Sequence, residues 1–325
     1  MATRIKIMPQ SMFAIIMLLS SMHLASTNVQ GAFGGGGLQI GFYALTCPSA
    51  EFLVKSAVSS ALSSNRRTGA GLIRLLFHDC FVEGCDASVL LDGPNTEKTA
   101  QPNLSLHGFE VIDAAKAAIE AVCPGVVSCA DIVAIAARDS VSLLGGTPYL
   151  VETGRKDGTV SVAANTNDIP SPLNDAAALI SSFAKKGLST SQMVILSGAH
   201  TVGKAQCGAF LNRLYPTVDP TLDPAYAAQL IAQCPQNGDA TVLNDLDPTT
   251  PLQMDSNYYK NLIQSRGLLT SDQTLYTSGA TKGFVLGNAN FFWSPSFSQA
   301  IQAMGRIGVK TGASGEIRRT CRSIN

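Results

Sequence analysis

The chain has 325 residues and a mass of 34.0 kDa, the size of one large domain or two closely packed ones. Apolar residues make up 46 % and charged residues only 14 %, against roughly 25 % charged in an average globular chain. A sizeable core is available, and the composition of a disordered chain is excluded. Lys plus Arg equals Asp plus Glu at 23 each. With no basic excess to displace counterions, nucleic acid is not expected as a partner.

Residues 1–30 read as a secretory signal. Arg4 and Lys6 form a positive n-region, Met12 to Leu19 an apolar core, and small residues follow around Ala25 and Ser26. A membrane anchor is the competing reading, but no apolar run reaches the ~20 residues of a span. Removal of 1–30 takes two basic residues and no acid, which changes the formal charge from zero to −2. Residues 31–38 read as a glycine-rich leader and 39–325 as one domain. Eight cysteines follow the signal: Cys47, Cys80, Cys85, Cys123, Cys129, Cys207, Cys234 and Cys321. An even number in that context predicts four disulfides in an oxidising compartment, with the pairing left open by spacing alone. A zinc site is the weaker alternative, because no Cys-x-x-Cys pair occurs.

In chain order, Arg74 and His78 fall one turn apart if their segment is helical. A cation beside an imidazole keeps it neutral. A neutral His can take up a proton, and the Arg can stabilise an anion forming nearby. Asp79, Asp86, Ser88 and Glu97 gather around the tight Cys80–Cys85 loop, and oxygens of this kind suit calcium, although no EF-hand pattern is present. Phe109, Ile112 and Ile119 predict an amphipathic helix, with His107 as a surface residue capping it. Ser128 and Asp131 predict a capping box before Val133, Ala134, Ala137, Val141 and Leu144, ended by Gly145 and Gly146. Residues 168–172 read as a loop. Asn174 is the expected cap of a helix closing at Lys185, Lys186 and Gly187, and Ser189 with Gln192 opens a short helix closing at Gly198. His200 follows among small residues that leave room for a large group beside the imidazole; a core His bonded to a carbonyl is the alternative. Asp247, Thr250 and Asp255 form a second oxygen-rich set in a Pro-bounded loop. Alternating strand patterns are nearly absent, so the expected class is mainly α. No Gly-x-Ser-x-Gly elbow occurs, which removes a serine hydrolase.

The stretches Gly71 to Ser88, Val127 to Asp131, Ile169 to Pro172, Leu196 to Gly203 and Leu269 to Gln273 together resemble the secretory plant haem peroxidases (class III), and the resemblance covers residues 39–325. It implies a two-lobed helical fold with one haem b between distal and proximal halves and very little β. It implies His200 as the iron ligand with Asp272 accepting its other ring N–H, His78 as the acid–base residue, Arg74 as the stabiliser of developing negative charge and Asn103 as the acceptor that fixes the His78 tautomer. Pro170 matches the family's contact with aromatic substrates. A distal calcium would use Asp79, Val82, Gly84, Asp86 and Ser88, with Glu97 reaching it through water. A proximal calcium would use Thr201, Asp247, Thr250, Gln253 and Asp255. The implied disulfides are Cys47–Cys123, Cys80–Cys85, Cys129–Cys321 and Cys207–Cys234.

The implied activity is a secreted, monomeric peroxidase of the apoplast or cell wall. It would reduce hydrogen peroxide and oxidise small phenols in one-electron steps, in wall phenol and lignin metabolism or the oxidative stress response. No membrane is expected as a partner after signal removal. The alternative is a non-catalytic secreted haem- and calcium-binding protein that keeps the fold; the intact Arg74, His78, Asn103, His200 and Asp272 argue against it. Some residues depart from the family pattern. Asn103-Leu104-Ser105 is a formal glycosylation sequon, Val202 replaces an aromatic and Gln253 an aliphatic residue, and Tyr149 stands near the usual position of the lone Trp. Trp293 lies in a segment, 288–298, that fits the family poorly.

Overall fold

The computed structural model describes residues 37–290 and 292–325. Most elements are helices: α1 (Ala50–Ser64), α2 (Thr68–Phe81), α3 (Phe109–Glu120), α4 (Cys129–Leu143), α5 (Ala176–Lys185), α6 (Thr190–Ser197), α7 (Pro224–Gln233), α8 (Asn257–Ile263), α9 (Thr270–Thr277), α10 (Lys282–Asn288) and α11 (Trp293–Met304). Strand is confined to two antiparallel pairs, β1 (Gln39–Ile40) with β2 (Glu152–Thr153) and β3 (Lys204–Gln206) with β4 (Leu243–Asp245). Strands of two or three residues are too short for an alternating pattern to show, so the mainly α expectation holds and the ladders stay hidden in the sequence. The signal reading over 1–30 and most of the leader at 31–38 lie outside the described residues. Among the described residues no helix is long and apolar enough to cross a membrane.

Capping explains where several helices begin. Ser128 Oγ accepts the Asp131 N–H at 3.1 Å at the start of α4. The expected box does not close, because the buried Asp131 carboxylate is used elsewhere: it accepts Tyr43 O–H at 2.7 Å, Gly154 N–H at 2.6 Å and Arg155 Nη1 at 2.8 Å. A buried carboxylate needs those partners more than a helix terminus needs a second cap. The cap of α5 is Asp175, whose Oδ1 accepts Ala178 N–H at 2.8 Å, and not Asn174, whose own N–H is held by Ser171 O in the preceding turn. At α6 the Ser189–Gln192 box is complete. His107 does not cap α3. Gly108 takes that place with φ +92°, and the exposed His107 lies over Gly71, where a Cβ would come within 2.3 Å of its Nδ1.

The main core runs from α2 against α4, with α1 packed on α3 and α4, through to α6 against α11. Leu75, Ile112, Ile132 and Ile135 are completely buried in it, and truncating one of these to Ala costs about 2–5 kcal/mol. A second core gathers Phe210, Leu214, Leu222, Tyr226 and Leu230 around the Cys207–Cys234 bond. The other disulfides are Cys47–Cys123, Cys80–Cys85 and Cys129–Cys321, and among the described residues no cysteine is free. The segment after His200 abuts α2. Gly203, at φ +97°, comes so near that a Cβ would lie 3.2 Å from Ala70 Cβ. Only glycine combines that backbone angle with that approach.

Candidate active site

Helix α2 buries nearly every residue from Gly69 to Phe81 except Arg74 and its neighbours Ala70 and Phe77, which directs Arg74 and His78 along one helix face. Arg74 Nε donates to His78 Nε2 at 3.0 Å. A guanidinium has no acceptor, so Nε2 must carry the lone pair and Nδ1 the proton. That Nδ1–H meets Asn103 Oδ1 at 2.6 Å, and the other end of the amide is fixed by Nδ2 donating to Glu97 O at 2.8 Å. One tautomer of His78 satisfies all of these contacts. Burial, and then the Arg74 charge, push the His78 pKa down to about 3 against the opposing Asn103 bond. Burial lowers Arg74 itself to about 10, so it stays charged while His78 stays neutral at neutral pH.

The sequence reading missed what anchors Arg74. Nη1 donates to Ser105 Oγ at 2.9 Å and Nη2 to Pro102 O at 3.0 Å. Nothing in the sequence distinguishes Ser105 from the serine of a sequon. Asn103 is buried with both ends of its amide engaged, so it is not a place where a glycan can sit.

Beyond α6 a short 3-10 turn, Gly198–Thr201, carries His200. Its Nδ1 lies 2.7 Å from Asp272 Oδ1, and Asp272 is held at the start of α9, with Oδ2 accepting Leu269 N–H at 3.2 Å. The carboxylate commits Nδ1 as a donor, which leaves Nε2 as the nitrogen with a free pair. Tyr258, which the sequence does not single out, also donates to Asp272 Oδ1, at 2.9 Å. Ser271 N–H binds Pro172 O at 3.0 Å, so the loop bearing the half-buried Pro170 is tied to the residue next to Asp272.

The two oxygen-rich sets each come together. Asp79 Oδ2 accepts Ala87 N–H at 2.9 Å and Asp86 Oδ1 accepts Ser88 N–H at 3.0 Å. Ser88 Oγ and both Glu97 carboxylate oxygens are buried without a hydrogen-bond partner. Burial foremost raises the Asp79 pKa and pushes Glu97 up to about 8; Ser88 and Ser161 soften the Glu97 shift without forming a well-shaped bond to its carboxylate. Lys310, unforeseen in the sequence, pairs with Asp86 Oδ2. Gly158 is packed so tightly on Asp86 that a Cβ would meet the carboxylate. In the second set Thr201 Oγ1 lies 3.1 Å from Asp247 Oδ2, 3.2 Å from Gln253 O and 3.3 Å from Asp255 Oδ1. Thr250 Oγ1 is 3.1 Å from Asp255 Oδ1. One hydroxyl proton cannot serve three oxygens, so lone pairs face each other there, as they do where a cation is meant to lie between them. Among the described residues no three His, Cys, Asp or Glu side chains converge as a ligand set; either set depends on hydroxyl and carbonyl oxygens as well.

A profile of the family described as Peroxidase matches residues 54–290. The chain is similar to Peroxidase 71 of Arabidopsis thaliana, 50 % identical over 314 residues and 95 % of both chains. It is 49 % identical to Peroxidase 62 of the same plant over 300 residues, covering 90 % of this chain and 93 % of that one. It is 48 % identical over 291 residues to the lignin-forming anionic peroxidase of Nicotiana sylvestris, covering 87 % and 90 %. With a neutral imidazole beside a guanidinium, a second imidazole backed by a carboxylate, and this degree of likeness, the chain belongs to the plant class III peroxidase family, and it is a haem-family enzyme that uses hydrogen peroxide.

Proposed function

We propose that His200 Nε2 holds the iron of one haem b and that Arg74, His78 and Asn103 form the peroxide side of the site. The donor set fits the group: a neutral imidazole whose second nitrogen is bound to a carboxylate would be an electron-rich ligand for iron. Haem b supplies, when bound, an iron that peroxide oxidises by two electrons and that two one-electron donors restore.

The rest is the work of this chain's side chains. Arg74 Nε occupies the His78 lone pair at 3.0 Å. A peroxide can take that place, accepting from Arg74 while giving its proton to Nε2. His78 then returns the proton from Nε2 to the departing oxygen, and the Arg74 charge stabilises that oxygen as negative charge grows on it. Asn103 holds Nδ1–H throughout, so the proton is always handled at Nε2. Ser105 and Pro102 O fix the guanidinium in place.

Small phenols are the proposed reductants. The Pro170 loop, anchored beside Asp272, is the proposed contact for their rings. The name of the Nicotiana sylvestris relative supports a role in wall phenol and lignin chemistry. Four disulfides fit an oxidising, secretory setting, and the apoplast or wall is the proposed destination, with a monomer as the working unit. Two calcium ions complete the proposal. One would lie at Asp79, Val82 O, Gly84 O, Asp86 and Ser88, with Glu97 behind a water and Lys310 sharing Asp86. The other would lie at Thr201, Asp247, Thr250, Gln253 O and Asp255.

The observation that carries this reading is the Arg74–His78–Asn103 chain, which fixes a neutral His78 in one tautomer. Its test is peroxide-dependent guaiacol oxidation by the haem-loaded protein. We expect His78→Leu to lose about 10²–10⁴-fold, the usual worth of a positioned acid–base group. Undiminished turnover in that variant would refute the assignment.

A further inference from the structure

Trp293 is the sole tryptophan of the chain, and it lies in the segment that the family resemblance leaves unexplained. The fold puts it at the end of a line of rings that starts at His200. His200 and Tyr258 meet edge-on with centroids 6.2 Å apart, Tyr258 and Tyr259 at 5.0 Å, and Tyr259 and Trp293 at 5.9 Å. Tyr258, Tyr259 and Trp293 are all buried. The indole sits over Gly198, where a Cβ would come within 2.6 Å of Nε1, and Nε1–H donates to Ile195 O at 3.0 Å. Trp293 is therefore built against the turn that carries His200.

The members of the line differ in what they can do with a proton. Tyr258 O–H points at the Asp272 carboxylate at 2.9 Å, so its proton has a base to go to when the ring loses an electron. Tyr259 O–H faces the carbonyls of Val194 and Ile195 at 2.9 and 3.1 Å, and its oxygen also meets the N–H groups of Trp293 and Gly198. No base accepts its proton, so its ring can only bridge. An indole can give up an electron and keep its N–H, and the Ile195 carbonyl stabilises the more acidic N–H that results.

We propose that Trp293 is an internal electron donor to the peroxide-oxidised centre, reached through Tyr259 and Tyr258. This rests on the assignment of His200 as the iron ligand. In the first step Tyr258 loses one electron to that centre and its phenolic proton to Asp272 Oδ1. In the second, Trp293 passes one electron to Tyr258, which takes its proton back. The net result is one electron moved from Trp293 to the centre, no proton lost, and an indole one electron short. When a phenol is at hand it reduces the centre directly. When none is, the oxidising equivalent moves inward to Trp293, away from the distal residues.

The test mixes haem-loaded protein with hydrogen peroxide in the absence of phenol, freezes it, and records the electron paramagnetic resonance spectrum. Protein is grown with natural or ring-deuterated tryptophan. Because the chain has a single Trp, a spectrum that narrows with the label assigns the radical to Trp293. Trp293→Phe is expected to abolish that signal, to replace it with one that responds to ring-deuterated tyrosine, and to leave guaiacol turnover unchanged. Ile195 O keeps its Tyr259 bond in this variant. Trp293→Tyr, which keeps an oxidisable ring, is expected to retain a radical with tyrosine character. A haem-loaded, guaiacol-active protein with no protein radical, or with a radical indifferent to the tryptophan label, would overturn the proposal alone. A folded protein that takes up no haem would overturn the His200 assignment and this inference with it.

Discussion

Tyr258 and His200 donate to the same oxygen of Asp272, at 2.9 and 2.7 Å. The negative charge that makes the His200 imidazole electron-rich is therefore divided between two donors. Removing the phenol hydroxyl returns that charge to His200. Tyr258→Phe is expected to lower the reduction potential of the haem-loaded protein by about 60 mV, which is tenfold in a one-electron equilibrium. Redox titration followed by absorption checks this. An unchanged or higher potential would show that Tyr258 does not draw on the Asp272 charge.

The neutral state of His78 has two causes in order, burial and then the Arg74 charge. The neutral form is the one that accepts a proton, so peroxide reactivity holds down to low pH and fails as pH drops toward about 3. Arg74→Leu removes the second cause and leaves the first. Its acid limb is expected to move upward, toward the ordinary His value, while the peroxide reaction slows about 10²–10³-fold through loss of charge stabilisation. Stopped-flow rates of the peroxide reaction against pH report both effects. A slower variant with an unmoved acid limb would contradict the charge argument.

Calcium binding is expected to release protons at neutral pH. In the metal-free protein Glu97 is held at about 8, chiefly by burial, so at pH 7 it is mostly protonated, and a cation requires the carboxylate form. The sign for folding follows. A carboxyl raised in the folded state adds stability below its unfolded value of about 4.5, and that contribution is lost as pH rises toward 8. Chelated protein should therefore melt at lower temperature at pH 8 than at pH 5, and added calcium should reduce that difference. Calorimetry in buffers of different ionisation enthalpy counts the protons. Calcium uptake without proton release would contradict the assignment of Glu97 to the site.

Asn103→Val keeps the volume near His78 and removes the acceptor for Nδ1–H. With that bond gone His78 can adopt the other tautomer, which has no lone pair at Nε2. Guaiacol turnover is expected to fall by about tenfold to a hundredfold, the usual effect of losing a group that orients a working side chain. Binding of the haem should be unaffected. A variant as active as the wild type would show that the tautomer is fixed by Arg74 alone.

Much of this was legible in the sequence, for stated reasons. Helical spacing alone put Arg74 and His78 on one face, and the Ser189–Gln192 box formed because neither side chain had a competing partner. The box at Ser128 failed because Asp131 is needed by Arg155 and Tyr43, residues that are distant in sequence and not visible to a local rule. Asn174 lost the cap of α5 to Asp175 because the turn at Ser171 had already engaged its backbone. Ser105, Tyr258 and Lys310 escaped notice for the same reason. Each acts through a partner 14 to 224 residues away, and each belongs to a type with many ordinary uses. Trp293 was visible as a departure from the family pattern, but its place beside Tyr259 and Gly198 exists only in three dimensions.

The most direct measurement compares absorption spectra of haem-reconstituted wild type and His200→Ala. The wild type is expected to show an intense Soret band that changes on adding hydrogen peroxide and returns on adding guaiacol. In His200→Ala the band should be lost or broadened to that of loosely held haem, turnover should collapse, and added imidazole should restore part of both. A His200→Ala protein with the wild-type band and the wild-type rate would contradict the account at its root.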